Sequence, residues 1–327
     1  MIFYSLQEIL LMISAALLFD WLIGDPKRPV HPVIRIGQLI KLLEQKLYYS
    51  AAMGSGSKAR FRGGMLTLIT ITLSFAAMWL TISLADVIHP WLGYALNTWF
   101  ISTTIAVKGL KDAAMLVYRP LIEGRMDEAR MFTGYIVGRD TDRLDASEAS
   151  RATVETVAEN TVDAVVSPLF YAFLGGAPLA MFYRAANTLD SMVGYKNEKY
   201  ADFGFASARW DDIMNYLPAR LTGLLLLICA LPMRGLSSLR GWRSMVRFAR
   251  LHPSPNSGIP EAAVAGALGV ELGGLNYYFG RPSERARMGW PVRRLEAHDI
   301  IRTVRLLYGV SILIFAGGLL GWCLITF

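Results

Sequence analysis

Four stretches without a single Lys or Arg, residues 63–107, 152–183, 221–233 and 306–327, constrain this chain more than any other feature. Segments such as 65–88 and 306–326 are long enough to cross a hydrocarbon core of about 30 Å as helices rising about 1.5 Å per residue. Hydrophobic residues make up 54% of the chain and charged residues 18%, too apolar for an ordinary soluble protein. The expected architecture is all-α: a polytopic integral membrane helical protein with about 4–6 membrane segments, some broken or re-entrant, plus cytoplasmic helical loops. It reads as a single membrane-embedded domain over residues 1–327.

The net charge of +7 is unevenly spread. Lys and Arg concentrate in 24–62, 108–151 and 234–305, which the positive-inside rule turns into cytoplasmic loops. The same spread over several loops, with no recognition motif, argues against nucleic acid as a partner. Cys229 and Cys323 both fall in apolar segments and imply neither a disulfide nor a zinc site. No GxSxG, HExxH or GxxxxGK[ST] occurs, so those hydrolase and nucleotide-binding chemistries are unsupported. The N-terminal apolar run lacks a basic leader and is followed by Asp20, Trp21 and Asp25, so residues 7–23 read as a retained first membrane helix.

Apolar runs place spans near 5–23, 65–88, 91–107, 164–183, 214–233 and 306–326. His89-Pro90 is a tight break between the second and third, and Gly54-Ser55-Gly56-Ser57 reads as flexible linker. The run 164–183 is interrupted by Ser167-Pro168 and by Gly175-Gly176-Ala177-Pro178, breaks tolerated where backbone lines a protein cavity. The favoured topology has 164–183 and 214–233 dipping in and returning, which leaves 184–213 on the cytoplasmic side.

Acidic residues intrude at the ends of these apolar runs, and a carboxylate beside hydrocarbon is costly enough to mark function. Asp145 to Glu148 reads as a capping box opening a helix along which Arg151, Glu155, Glu159 and Asp163 recur every fourth residue. With Asn160 beside them, they form a face that suits Mg²⁺ held by one or two carboxylates, water and phosphate. The plainer reading is a solvated stripe with an Arg151–Glu155 pair. Asn187-Thr188-Leu189-Asp190 repeats the Asn-x-x-Asp spacing and reads equally as a second half of a metal–phosphate clamp or as helix caps. Lys196 and Lys199 follow among tyrosines, suited to phosphate or to a surface turn. Asp25 and His31 sit in Gly24-Asp25-Pro26 and His31-Pro32-Val33 at the end of the first span. His252-Pro253-Ser254-Pro255-Asn256-Ser257-Gly258-Ile259-Pro260-Glu261 delivers the chain into a helix whose N-terminus is a natural anion site. Ser257 or Gly258 would cap it, with Pro260 in its first turn. Arg281, Arg285 and Arg287 behind it serve either substrate phosphate or loop charge.

Three long segments carry a resemblance: 20–40 (DWLIGDPKRPVHPVIRIGQLI), the run from Ala149 through ENTVDAVVSPLF and RAANTLDSMVGYKNEKYADFG to Leu221, and 252–274 (HPSPNSGIPEAAVAGALGVELGG). Together they resemble the CbiB/CobD family of cobalamin-biosynthesis membrane proteins. The resemblance implies an adenosylcobinamide-phosphate synthase, an ATP-dependent amide ligase needing Mg²⁺. Such an enzyme joins the corrinoid adenosylcobyric acid to (R)-1-amino-2-propanol or its O-phosphate. It further implies a multi-pass protein of the inner membrane, with the lipid bilayer as partner, an active site facing the cytoplasm, and a complex with later cobalamin-assembly enzymes. On this reading the catalytic residues are Glu155, Glu159, Asp163 and His31, and Mg²⁺ is held by Glu159, Asp163 and Asp190. Substrate or phosphate would be bound by Asp25, Asn160, Asn187, Lys196, Lys199, His252, Asn256, Ser257 and Glu261. The alternatives are an AmpE-like membrane sensor, a Mg²⁺-dependent prenyl or phosphoalcohol transferase, and a transporter.

Overall fold

The computed structural model describes residues 4–24, 31–48, 56–195, 197–278 and 280–326, and divides into two compact units. Asp25 and Lys196, both expected at the site, lie outside the described residues. The first unit comprises Met1–Ala106, Ser167–Asn215 and Phe315–Phe327, and the second Val107–Val166 and Tyr216–Ile314.

The first unit is built on α1 (Leu6–Leu22), α2 (Pro32–Leu47), α3 (Ser57–Ile88) and α4 (Pro90–Ser102). α3 is the longest of these and shows how the sequence meets its solvent. Its buried face carries Thr67, Thr70, Ile71, Ser74 and Met78, whereas Leu68, Leu73, Trp79, Leu80, Leu84 and Ile88 point outward. Large apolar side chains outside and small polar ones inside is the pattern of a helix surrounded by lipid. Between α3 and α4 the chain turns at His89, whose imidazole accepts the N–H of Trp91 while Pro90 takes the first helical position. The expected span at 91–107 is therefore a 13-residue helix, too short to cross on its own.

The second unit opens with α5 (Val107–Ile122), α6 (Met126–Ile136) and α7 (Ala146–Thr161), the last running into a π-helical turn, Val162–Val166. The chain then re-enters the first unit as α8 (Ser167–Val193), which packs on α3, α4 and α2. The expected break in 164–183 falls at Gly175 and Gly176, where the helix is interrupted. Gly176 has φ +63, and the chain restarts with Ala177 N–H donating to the buried Asn97 Oδ1 at 2.6 Å. A Cβ on Gly176 would lie 2.9 Å from that amide, so both conformation and space call for glycine.

α9 (Phe205–Ala230) and α12 (His298–Thr326) belong partly to each unit. Between them lie α10 (Ser238–Phe248), α11 (Gly258–Leu268) and an antiparallel hairpin, β1 (Leu272–Tyr278) with β2 (Arg281–Met288). Sequence reasoning did not anticipate the hairpin. In all, four described helices are long and apolar enough to cross a membrane: Ser57–Ile88, Ala146–Val193, Phe205–Ala230 and His298–Thr326. Only 17% of the apolar window of the last is buried, so its leucines and isoleucines need lipid rather than protein around them. The molecule is an all-α polytopic membrane protein.

Candidate functional site

The α7 helix starts as its sequence dictates. Asp145 Oδ1 accepts the Glu148 N–H at 2.7 Å, and Glu148 returns a bond to the Asp145 N–H at 3.0 Å. This capping box sets the phase of the residues spaced four apart, and the structure gives each a different role.

Glu155 is buried and fully committed. Oε2 pairs with Arg139 at 2.9 Å, while Oε1 pairs with Arg151 at 3.2 Å and accepts the Gly273 N–H at 2.8 Å. Arg151 also donates to the carbonyls of Gly273 and Leu275 and to Asn276 Oδ1, and Arg139 donates to the same Asn276. Glu155 thus fastens β1 to α7. Burial lowers the pKa of Arg139, and the Glu155 carboxylate opposes that fall.

One turn later, Glu159 accepts the Ser257 hydroxyl at 2.8 Å, and Asn160 donates to Thr156 O at 2.9 Å. These side chains, with Arg139, Glu155, Tyr278 and Arg285, line a cavity of about 140 Å³. Asp163 follows in the π-helical turn, a distortion often found at functional sites.

The polar loop before α11 folds on itself. Ser254 Oγ accepts the N–H groups of Asn256 and Ser257, both at 3.3 Å, and Asn256 Oδ1 accepts Arg220 at 3.2 Å. Ser257 sits at the helix N-cap position but spends its hydroxyl on Glu159 instead of the helix. Behind it, His252 Nε2 and Glu261 Oε1 are 3.7 Å apart, and neither atom has a hydrogen-bond partner. His252 Nδ1 lies 3.0 Å from the Ser254 backbone nitrogen and 3.3 Å from the Ser254 carbonyl oxygen, so the Ser254 backbone orients the ring with Nε2 facing Glu261. Burial raises the Glu261 carboxyl well above its ordinary value and lowers His252. Burial thus disfavours the charged form of both groups.

Of the three arginines that the sequence left undecided, Arg285 enters the cavity lining, whereas Arg287 is exposed and paired with Glu271 at 2.8 Å. Burial works against the Arg285 charge, but Tyr278, Glu261, Glu159 and Glu155 together hold its pKa above the usual value.

In the first unit, Asn187 and Asp190 lie on α8. Asn187 donates to Asp211 Oδ1 at 3.3 Å, Asn215 donates to Asp211 Oδ2 at 3.0 Å, and Ser167 and Tyr183 donate to Asn215 Oδ1 at 2.6 and 2.9 Å. Sequence reasoning missed Asp211 and Asn215. Their spacing of four on an apolar helix was the available signal. Lys199 turns instead to Glu44 and Tyr200, each at 2.7 Å, and the Glu44 bond raises its pKa. His31 caps α2 by accepting the Val33 N–H at 3.3 Å, a structural duty. Among the described residues, no three His, Cys, Asp or Glu side chains converge as a protein metal centre.

Comparison with known proteins places these residues in a family. The family model of CobD/CbiB proteins matches residues 13–307. The chain is 46% identical to the cobalamin biosynthesis protein CobD of Geobacter metallireducens, over 93% of each chain. It is 47% identical to CbiB of Salmonella typhimurium over 92% of this chain and 93% of the relative. With CobD of Klebsiella pneumoniae it shares 47% identity over 94% and 95%. No solved structure matches the chain. The cavity residues Glu155, Glu159 and Arg285, and Ser257 bonded to Glu159, all fall inside the matched region, and the chain belongs to the CobD/CbiB family of cobalamin biosynthesis proteins.

Proposed function

We propose that the protein is an ATP-dependent amide ligase that joins adenosylcobyric acid to 1-amino-2-propanol or its O-phosphate, with the cavity of the second unit as the reacting centre. The observation that carries this reading is the convergence of Arg139, Arg285, Glu155 and Glu159 on one small cavity, with Ser257 of the HPSPNSG loop bonded to Glu159. At about 140 Å³ the cavity takes a phosphoryl group or a three-carbon amino alcohol, and only the tip of a propionate arm from a corrin ring.

A carboxylate becomes an electrophile by taking the terminal phosphoryl group of ATP, giving an acyl phosphate and ADP. The amine then attacks the acyl carbon, the C–O bond to phosphate breaks, and the departing phosphate takes the amine's proton. Catalysis of both steps is chiefly positioning and charge neutralisation. Arg285, and Arg139 behind it, supply positive charge at the phosphate. Glu155 holds Arg139 in place and anchors the β1 wall. The Ser257 hydroxyl fixes the Glu159 rotamer. The Ser254 backbone holds His252 with Nε2 turned to Glu261, 3.7 Å away.

The donor chemistry fits a Mg²⁺ that keeps most of its waters and arrives on substrate phosphate, held by Glu159 and, one turn on, Asp163. Bound there, it would neutralise the oxygens of the transferring group. Asp190, in the first unit with Asp211, is a separate carboxylate pair on apolar helices and is assigned here to substrate binding. Because the cavity draws on the basic stretches 108–151 and 234–305, the site faces the cytoplasm of an inner-membrane protein.

The test is to incubate the purified protein with adenosylcobyric acid, ATP, Mg²⁺ and either amine, and follow the corrinoid mass. Amide product that disappears on omitting ATP or Mg²⁺ is expected. Absence of turnover with both amines, in a protein that still binds the corrinoid, would favour a non-catalytic sensor instead.

A further inference from the structure

α10, Ser238–Phe248, follows the membrane-length helix α9 through residues 231–237, a link that spans at most about 25 Å. Its inner face is settled by very close packing. A Cβ on Gly241 would lie 2.9 Å from Ala263 O, and one on Gly266 of α11 would lie 2.6 Å from Arg240 O. The two backbones therefore touch, and Ser244 is buried between them. Met245 and Ala249 complete this face against Val162, Ala219 and Ile259. Arg240 is consumed by the fold, donating to the last carbonyls of α11, Gly266 at 2.6 Å and Ala267 at 3.0 Å.

With glycine and serine taking the inner face, every large apolar residue of α10 but Met245 and Phe248 is turned outward. Leu239 is 60% exposed, Trp242 47% and Val246 63%, and Leu251 just beyond is 51% exposed. At about 100° per residue, Trp242, Val246 and Leu239 fall within an arc of roughly 60°, and Arg243 and Arg247 occupy the next sector on one side. Arg250 continues that basic edge. Among the described residues none of Arg243, Arg247 and Arg250 forms an ion pair. Water is a poor environment for this apolar arc, and among the described residues no carboxylate answers the arginines.

We propose that α10 is an interfacial helix that seats Leu239, Trp242 and Val246 in the membrane surface and binds anionic lipid headgroups through Arg243, Arg247 and Arg250. Two features favour lipid over a protein partner. The helix begins where a membrane-length helix ends, and Leu231 at that exit is itself 71% exposed. The outer face also combines a tryptophan and apolar side chains with unpaired arginines, the composition of helices lying in the headgroup region. Anchored there, α10 ties α11 and its HPSPNSG entry to the height of the membrane face.

The experiment uses the full chain in nanodiscs with Cys323→Ser and Val246→Cys, the new thiol carrying an environment-sensitive fluorophore; Cys229 is buried and stays as it is. Strong quenching by lipid-borne spin labels, weak quenching by iodide, and a further rise when phosphatidylglycerol replaces phosphatidylcholine are expected. Replacing Arg243, Arg247 and Arg250 together by Gln lowers the affinity for phosphatidylglycerol by about fivefold per arginine, and replacement by Lys preserves most of it. Iodide quenching that exceeds lipid quenching overturns the proposal. So does a fluorophore shielded equally in both lipids that crosslinks to a second copy of the chain, or Gln and Lys triples that behave alike.

Discussion

Replacing Glu155 by Gln removes one negative charge from a place where three donors converge: Arg139 at 2.9 Å, Arg151 at 3.2 Å and the Gly273 N–H at 2.8 Å. The side chains of Glu155 and Arg139 are 6% and 4% exposed, so water cannot take the missing partner's place. An uncompensated buried charge of this kind costs about 3–5 kcal/mol. The amide oxygen of Gln still accepts from Gly273, so the loss falls on Arg139, whose charge burial already disfavours. Denaturant unfolding of the detergent-solubilised variant should show that loss. Trypsin should also cut faster at Arg287, because the hairpin is tied to α7 through the same carboxylate. Changing Arg139 and Glu155 together to Leu removes both charges and should recover more than half of the single-variant loss, leaving about 1–2 kcal/mol chiefly from the Gly273 N–H, which then lacks its acceptor. A Glu155→Gln protein that loses under about 1 kcal/mol and keeps its hairpin protected would refute the clamp.

Two further outcomes follow from the same geometry. The raised pKa of Glu261 contributes stability that is complete below its ordinary value of 4.5 and is lost as pH rises through the folded value. Glu261→Gln should therefore match the parent near pH 4 and exceed its unfolding midpoint near pH 8, while the lowered pKa of His252 still costs stability as pH falls below 6.5. A variant that lost stability at pH 8 would contradict a raised Glu261 pKa. At the break in α8, Asn97→Ala removes the acceptor of the Ala177 N–H and should cost about 0.5–2 kcal/mol, with faster amide exchange at Ala177. Unchanged exchange there would show that the cap is dispensable.

Much of this arrangement was legible in the residues. Long basic-free runs announced the membrane helices, Gly175-Gly176 announced the break, and Asp145 with Glu148 announced the start of α7. Periodicity placed Glu155 and Glu159 on one face, but it could not say that one is an anchor and the other faces the cavity. That difference comes from Arg139, contributed by a loop before α7, and from the N–H of Gly273, more than a hundred residues away. The hairpin escaped notice because β1, LGGLNYY, holds two glycines of low strand propensity and a bulge, and β2 is dominated by charge. It is tied down by Arg151 and Glu155 of α7 and by Arg139 and Asp140 of the preceding loop, contacts that no local pattern reveals. Asp211 and Asn215 were hidden inside an apolar run, and the bonds from Asn187, Ser167 and Tyr183 give them their context.

The central claim is that the cavity of the second unit performs the amide synthesis, and Glu159 is the residue on which it turns. Rates of corrinoid amide formation by Glu159→Gln and the parent, in proteins matched for unfolding midpoint, measure this directly. A fall in kcat of about 100-fold or more is expected, with a higher Mg²⁺ requirement. A variant within about twofold of the parent at the same Mg²⁺ concentration would move the chemistry elsewhere in the chain.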